Sequence, residues 1–331
     1  MTSCAVVGAG AWGTALADLL ARNGHAVHLW ARESDVVATI NDCRENVRFF
    51  PGIVLAAGVH ATADLHSALE GAELVIYSVP SAYLRAVAAK EAGAVRRDAT
   101  LVVATKGIEP ETRAVMTDVI AEAVPEHPVV ALSGPSFAAE VGAQLPTAVV
   151  AASTDAAAAQ RVQRAFSAKT FRVYRHDDVV GVGLAGALKN VMAIATGVSD
   201  GLGLGANTRA ALITRGLAEM TRLGVARGAQ RATFAGLAGL GDLVLTCTGA
   251  LSRNRAVGEL LGRGATLDEA LAGRESVAEG VVNARAALRL ARDTGVDMPI
   301  VQAVNRVLFD GRPARQAIAD LMERELRSEP D

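Results

Sequence analysis

Lys189 is the residue in this chain whose surroundings most demand a chemical reason. It stands in Gly186-Ala187-Leu188-Lys189-Asn190-Val191, inside a helical stretch of otherwise small and apolar residues. A charge enters such a face when it is paired, or when its stem lets it reach water. A lysine in a partly dry cleft has its ammonium form destabilised, which brings proton transfer near neutral pH within reach. Asn190 adds a polar group beside it. Asp242, in Gly239-Leu240-Gly241-Asp242, is one acid in an apolar, glycine-rich surround. It is suited to hydrogen-bond Lys189, to hold substrate hydroxyls or to cap the next helix. Ser252-Arg253-Asn254 offers short polar side chains and a guanidinium fork shaped for phosphate. A helix cap flanked by surface arginines explains the same run. Glu279 is an acceptor for an amide or a ribose. Paired acids for glycosidic chemistry are not apparent, and the histidines lack ligand spacing, so no metal is required.

A second group of residues lies in the first half of the chain. Gly8-Ala9-Gly10-Ala11-Trp12-Gly13 follows the apolar run Ala5-Val7 and precedes a helical pattern at Ala15, Leu16, Leu19 and Leu20. This is G-x-G-x-x-G between a strand and a helix. Gly8 permits the turn, Gly10 lets backbone approach a pyrophosphate, and Gly13 lets the helix pack on the sheet. The anion would sit over the helix N-terminus. Arg32 ends the next strand, where a dinucleotide fold reads the adenine ribose. An arginine there suits a 2'-phosphate, and Glu33 beside it leaves NAD in play. Lys106 reads easily as a solvated lysine, but its place just past a hydrophobic strand on the ligand edge suits contact with phosphate or substrate. Ser133-Gly134-Pro135-Ser136 opens a helix, with Ser136 as its N-cap and backbone amides for the nicotinamide side or a substrate oxygen.

The elements that position these groups fall into two textures. Up to about Asp178, strands at Ala5-Val7, Ala26-Ala31, Glu73-Val79, Leu101-Ala104 and Pro128-Leu132 alternate with helices at Ser34-Cys43, Ala63-Leu69, Tyr83-Ala92 and Thr112-Ala123. Their continuous apolar character fits a parallel sheet with both faces covered. Thr147-Ala152, a helix at Ala156-Phe166, and Phe171-Tyr174 extend or close that sheet. The candidate residues Gly8-Gly13, Arg32, Lys106 and Ser133-Ser136 all fall at strand carboxyl ends, where such sheets bind ligands. Beyond Asp178 the pattern is helical, at Leu184-Ala195, Arg209-Leu223, Arg255-Leu261, Val281-Asp293, Ile300-Phe309 and Arg315-Arg327. The expected architecture is a Rossmann-like α/β dinucleotide-binding domain over 1–178, then an all-helical substrate and catalytic domain over 179–331.

Composition narrows the classes further. The 331 residues are 51% hydrophobic with a formal net charge of -2, which favours a compact chain and no nucleic-acid or membrane-surface role. No apolar run reaches membrane-spanning length, and the glycines at 8–13 interrupt any secretory signal. Cys4, Cys43 and Cys247 are too few and scattered for a disulfide framework, so they read as buried thiols in a reducing compartment.

Taken together these motifs closely resemble the bacterial NAD(P)-dependent glycerol-3-phosphate dehydrogenase family. The resemblance covers nearly the whole chain: GAGAWGTALA at the start, Thr105-Lys106-Gly107, GPSFAAE at Gly134-Glu140, GALKNV at Gly186-Val191, GLAGLGDLVLTCT at Gly236-Thr248 and SRNR at Ser252-Arg255. It implies reversible reduction of dihydroxyacetone phosphate to sn-glycerol 3-phosphate by NADH or NADPH, feeding glycerophospholipid synthesis. It implies that Lys189 is the catalytic proton donor or acceptor. It also implies that Lys106, Gly134, Ser136, Asp242, Ser252, Arg253 and Asn254 surround the substrate. The dinucleotide would meet Ala11, Trp12, Arg32, Lys106, Ala138, Arg253 and Glu279. Family members are cytoplasmic and often homodimeric, without membrane insertion or a metal. Gly249 and Ala11 depart from the serines frequent in relatives. A dehydrogenase of the 3-hydroxyisobutyrate or ketopantoate type shares the first domain but is separated by Gly239-Asp242 and Ser252-Asn254. A nonenzymatic dinucleotide sensor would have no use for Lys189.

Overall fold

The computed structural model describes residues 1–273, 278–326 and 328–329. They form two compact units, one of residues 1–106 and 116–182, the other of 107–115 and 183–331.

The first unit is built on eight strands: β1 (Ser3–Val7), β2 (Ala26–Trp30), β3 (Val59–Thr62), β4 (Leu74–Tyr77), β5 (Thr100–Val103), β6 (Val129–Ser133), β7 (Thr147–Ala152) and β8 (Phe171–His176). Their order is β3-β2-β1-β4-β5-β6-β7-β8, so the winding reverses between β1 and β4. Ligands bind at such a switch point, beyond the strand carboxyl ends. The pairing is parallel from β3 through β6, then antiparallel between β6 and β7, with Leu132 opposite Ala151. The last pair, β7 and β8, is parallel again. β1, β4 and β5 are buried almost throughout, as strands covered on both faces must be.

Three local expectations are corrected here. Strand β3 was not visible in the sequence, because its four residues read Val-His-Ala-Thr and it pairs only with β2 at the sheet edge. The helix expected from Thr112 begins at Met116. Arg113 takes a left-handed φ of 62°, and Ile108 pairs antiparallel with Val115, so the residues before the helix are a small hairpin. That hairpin belongs to the second unit, where the fully buried Asn283 accepts from the Ile108 amide at 3.2 Å and Arg113 pairs with Asp293 at 2.8 Å. Among the cysteines, Cys4 and Cys247 are buried but Cys43 is exposed, since it ends the Ser34–Cys43 helix.

The second unit is helical, and residues 183–201 of the long helix Val179–Gly201 belong to it. By length and composition that helix could cross a membrane, but 78% of its most apolar window is buried inside the protein. It crosses the Arg253–Gly262 helix at unusually close range. A β-carbon added to Gly197 would lie 2.1 Å from the Arg255 carbonyl oxygen, and one on Gly201 2.2 Å from that of Glu259. The reverse holds for Gly258 against Ile194 at 2.2 Å and Gly262 against Val198 at 2.3 Å. Glycines four apart on each helix thus let two backbones touch. Further long helices of the unit are Gly205–Ala226, Glu279–Thr294, Pro299–Phe309 and Ala314–Met322. The expected terminal helix stops at Met322, and Arg327 lies outside the described residues.

Candidate active site

Lys189 sits in mid-helix and is 8% exposed, so it does not reach water as a surface lysine would. Its Nζ donates to Oδ1 of Asp242 at 2.5 Å and to Oγ1 of Thr246 at 2.8 Å. Asp242 is 1% exposed, which makes this a buried ion pair that neither partner could leave cheaply. Asp242 does not cap its helix. The turn at Leu237–Gly241 is a wide π turn that runs directly into Asp242–Thr248, placing Asp242 and Thr246 one turn apart on the face toward Lys189. Gly239 makes that turn possible, because a β-carbon there would lie 2.1 Å from the Phe234 carbonyl oxygen. Thr246 donates its own proton to the Asp242 carbonyl at 2.6 Å, which leaves its oxygen free to accept from the ammonium. Sequence reasoning missed Thr246. Its only signal was a hydroxyl four residues after an acid in an apolar helix.

A second buried chain runs beside this one. Asn254 donates through Nδ2 to Oδ1 of Asn190 at 3.0 Å, and its own Oδ1 accepts the Gly280 amide at 2.9 Å. Asn254 therefore ties the Lys189 helix to the start of the Glu279–Thr294 helix. Glu279 itself is half-buried as that helix's first residue. Ser252 is the N-cap of Arg253–Gly262, its Oγ accepting from the Arg255 amide at 3.3 Å. Arg255 and Arg209 both donate to the buried carboxylate of Asp200, at 3.0 and 2.6 Å. Arg253 is exposed and forms no ion pair among the described residues, unlike Arg255. Gly249 ends the Asp242–Thr248 helix through its backbone, its amide donating to the Leu245 carbonyl at 2.8 Å. A side chain is not needed for that role.

At the ligand edge of the first unit, Gly8 has φ +113°, and a β-carbon there would lie 2.9 Å from the Ser78 backbone. One on Gly13 would strike the Gly8 carbonyl oxygen at 1.9 Å. Gly10, the N-cap of the Ala11–Arg22 helix, has nothing within 4 Å of that position, so its backbone stays open to an approaching group. Trp12 leaves its buried indole N–H without a partner among the described residues. An open glycine at a helix N-terminus and an unsatisfied donor in its first turn fit a dinucleotide pyrophosphate. The turn is braced from beneath: the fully buried Asn46 donates to the Ala9 carbonyl and to Thr14 Oγ1, both at 2.8 Å. Neither Asn46 nor Thr14 stood out in the sequence.

Lys106, Gly134 and Ser136 do come together. The Gly134 carbonyl accepts from Lys106 Nζ at 3.4 Å and from Ser136 Oγ at 3.0 Å. Ser136 is not the N-cap expected of it. The helix Ala138–Gly142 starts two residues later from Phe137, without a side-chain cap. Ala138 is that helix's first residue. Arg32 follows β2, its side chain 76% exposed and paired with Glu33 at 2.7 Å. Among the described residues no cluster of histidine, cysteine and acidic side chains is arranged to hold a metal ion.

Comparison with known proteins follows the same division. The chain matches the family models for the N-terminus of NAD-dependent glycerol-3-phosphate dehydrogenase over residues 3–159 and for its C-terminus over residues 178–319. It is 55% identical to the NAD(P)+ glycerol-3-phosphate dehydrogenase of Geobacter sp. strain M21, over 98% of each chain. With its counterpart from Myxococcus xanthus it shares 50% identity, again over 98% of each. A crystal structure of glycerol-3-phosphate dehydrogenase from Coxiella burnetii superposes with a TM-score of 0.94 at 41% identity, covering 98% of this chain and 99% of that one. A ketopantoate reductase from Ralstonia eutropha reaches a TM-score of 0.60 at 17% identity over 98% of this chain and 100% of that one, a likeness of fold alone. With both halves matched and full-length relatives at half identity or better, the chain belongs to the NAD-dependent glycerol-3-phosphate dehydrogenase family.

Proposed function

We propose that this chain reversibly reduces dihydroxyacetone phosphate to sn-glycerol 3-phosphate with NADPH or NADH, Lys189 exchanging the proton at the C2 oxygen. The observation that carries this reading is the buried Lys189–Asp242–Thr246 triangle. When bound, the reduced nicotinamide supplies a hydride to the carbonyl carbon. Negative charge then grows on the ketone oxygen, where the Lys189 ammonium stabilises it and delivers the proton. Asp242 holds and aims the Lys189 Nζ, and Thr246 fixes its second direction. In the oxidative direction the neutral amine takes the proton back. A dinucleotide sensor has no use for this triangle.

Arg253, with Ser252 and Asn254 at the same helix start, is assigned to the substrate phosphate, and Lys106, Gly134 and Ser136 to substrate contacts as well. Gly8, Gly10, Ala11, Trp12, Gly13, Arg32, Lys106, Ala138, Arg253 and Glu279 are assigned to the dinucleotide. In this reading 1–178 is the dinucleotide-binding domain and 179–331 the substrate and catalytic domain. The family resemblance extends it to a cytoplasmic homodimer that feeds glycerophospholipid synthesis, with the oligomer open to sedimentation analysis. Purified protein mixed with NADPH or NADH and dihydroxyacetone phosphate should consume cofactor and form glycerol 3-phosphate in equal amounts. Reduction of ketopantoate, or oxidation of 3-hydroxyisobutyrate with NAD(P)+, in preference to turnover of the phosphorylated substrate pair would overturn the assignment.

A further inference from the structure

Arg32 does not present an empty guanidinium fork. Its Nε and Nη2 both donate to one oxygen, Oε1 of the adjacent Glu33, at 3.1 and 2.7 Å. Glu33 is the N-cap residue of the Ser34–Cys43 helix, with extended backbone at φ -85° and ψ 116°. An acid at that position ordinarily accepts an amide of the first helical turn. Glu33 makes no such bond, and its carboxylate serves Arg32 instead. The acid is the seated partner, with its side chain 23% exposed against 76% for the arginine. The next charges along, Asp35 and Arg48, lie 3.6 Å apart as a looser pair of their own.

We propose that Glu33 sets the balance between NADPH and NADH by occupying the fork of Arg32. The proposal rests on the reading that Arg32 meets the 2'-phosphate of the adenine ribose. A phosphate arriving there must displace the carboxylate, and it does so against the charge of a group that remains nearby. A dinucleotide with a free 2'-hydroxyl asks nothing of the fork, and its hydroxyl can donate to the same carboxylate. Glu33 therefore handicaps the phosphorylated cofactor alone. Because the pair is exposed, the handicap is modest and leaves both cofactors usable.

The test is fluorescence titration of NADPH and NADH at low ionic strength against wild type, Glu33→Gln, Arg32→Ala and the double variant. Glu33→Gln should shift the ratio of the two Kd values toward NADPH by about two- to fivefold, less at high salt. The shift should be markedly smaller in the Arg32→Ala background, where only the repulsion between Glu33 and the phosphate remains. Two results overturn the role of Glu33: an unchanged ratio in Glu33→Gln, or an equal shift in the double variant, which would signify plain charge repulsion. If Arg32→Ala leaves the ratio untouched, it is the underlying assignment of Arg32 that falls, and the inference with it.

Discussion

At the scale of the residue, Lys189 and Asp242 each carry a charge into a place where water is nearly excluded, and each is tolerable there because of the other. Lys189→Met keeps the side chain's bulk and removes the proton. Hydride transfer followed by stopped flow should fall by roughly 10²–10⁴-fold, the range for losing a general acid, while the cofactor Kd stays within a few-fold. Near-normal transfer by the folded variant would remove Lys189 from the role. The same variant strands the Asp242 carboxylate, so a stability loss of about 3 kcal/mol should accompany it and be relieved by adding Asp242→Asn. Lys189 and Asp242 were legible because a charge among alanines, leucines and glycines needs explaining. Thr246, Asn46 and Thr14 were not. A threonine or asparagine is unremarkable in composition, and what gives each its role is a partner that only the fold brings near. Thr246 meets a lysine 57 positions away, and Asn46 braces a turn 37 positions away.

At the scale of the element, the contact of the Val179–Gly201 and Arg253–Gly262 helices does for Arg253 and Asn254 what packing does for a core. It holds one helix start at a fixed register against the helix that bears Lys189. Gly258→Ala would place a methyl 2.2 Å from the Ile194 carbonyl oxygen, with backbone on both sides and no flexible atom to yield. It should destabilise the protein by roughly 1–3 kcal/mol despite the better helix propensity of alanine, and raise KM for the phosphorylated ketone. Gly93→Ala, with open space around it, should be close to neutral by the same denaturation assay. Unchanged stability in Gly258→Ala would show that the helices separate freely.

A second element depends on pH. Glu219 is 2% exposed and accepts from the Ile300 and Val301 amides, at 2.7 and 3.3 Å, at the start of the Pro299–Phe309 helix. Burial pushes its carboxyl up to about 7, against the pull of those amides and Arg222 and with a further push from Asp297. The folded state thus keeps a proton that the unfolded chain releases near 4.5. Between those values the folded state binds more protons, so this group's contribution to stability falls as pH rises from about 4.5 to about 7 and stays low above that. Glu219→Gln should remove that fall. The gap between wild-type and variant stability curves should change by about 3 kcal/mol across the window, in order of magnitude. Parallel curves would mean that Glu219 is ionised throughout. Such helix-to-helix arrangements escape a sequence reading, which places helices by their apolar period but has no signal for which amide a distant acid will cap. Short elements escaped for a related reason: β3 has four residues, and the 107–115 hairpin depends on a bridge between Ile108 and Val115 that no local pattern announces.

At the scale of the whole molecule, the parallel strands with their ligand edge and the helical remainder were legible from long apolar periods, which tolerate errors of a few residues. The antiparallel turn of β7 was not, because a buried strand has the same composition in either direction. Under the proposed function, a dianionic substrate is gripped at the helix start that carries Arg253, the exposed arginine left out of the Asp200 network among the described residues. Phosphate binding remote from C2 supplies energy that orients the reacting carbonyl. The most direct measurement of that claim is kcat/KM for dihydroxyacetone phosphate and for unphosphorylated dihydroxyacetone, in wild type and in Arg253→Ala. The variant should lose about 2–5 kcal/mol of transition-state binding for the phosphorylated ketone, with little change for the other, and Arg253→Lys should recover only part of it. An equal fall for both ketones in a folded variant would contradict the account, because Arg253 would then not be reading the phosphate.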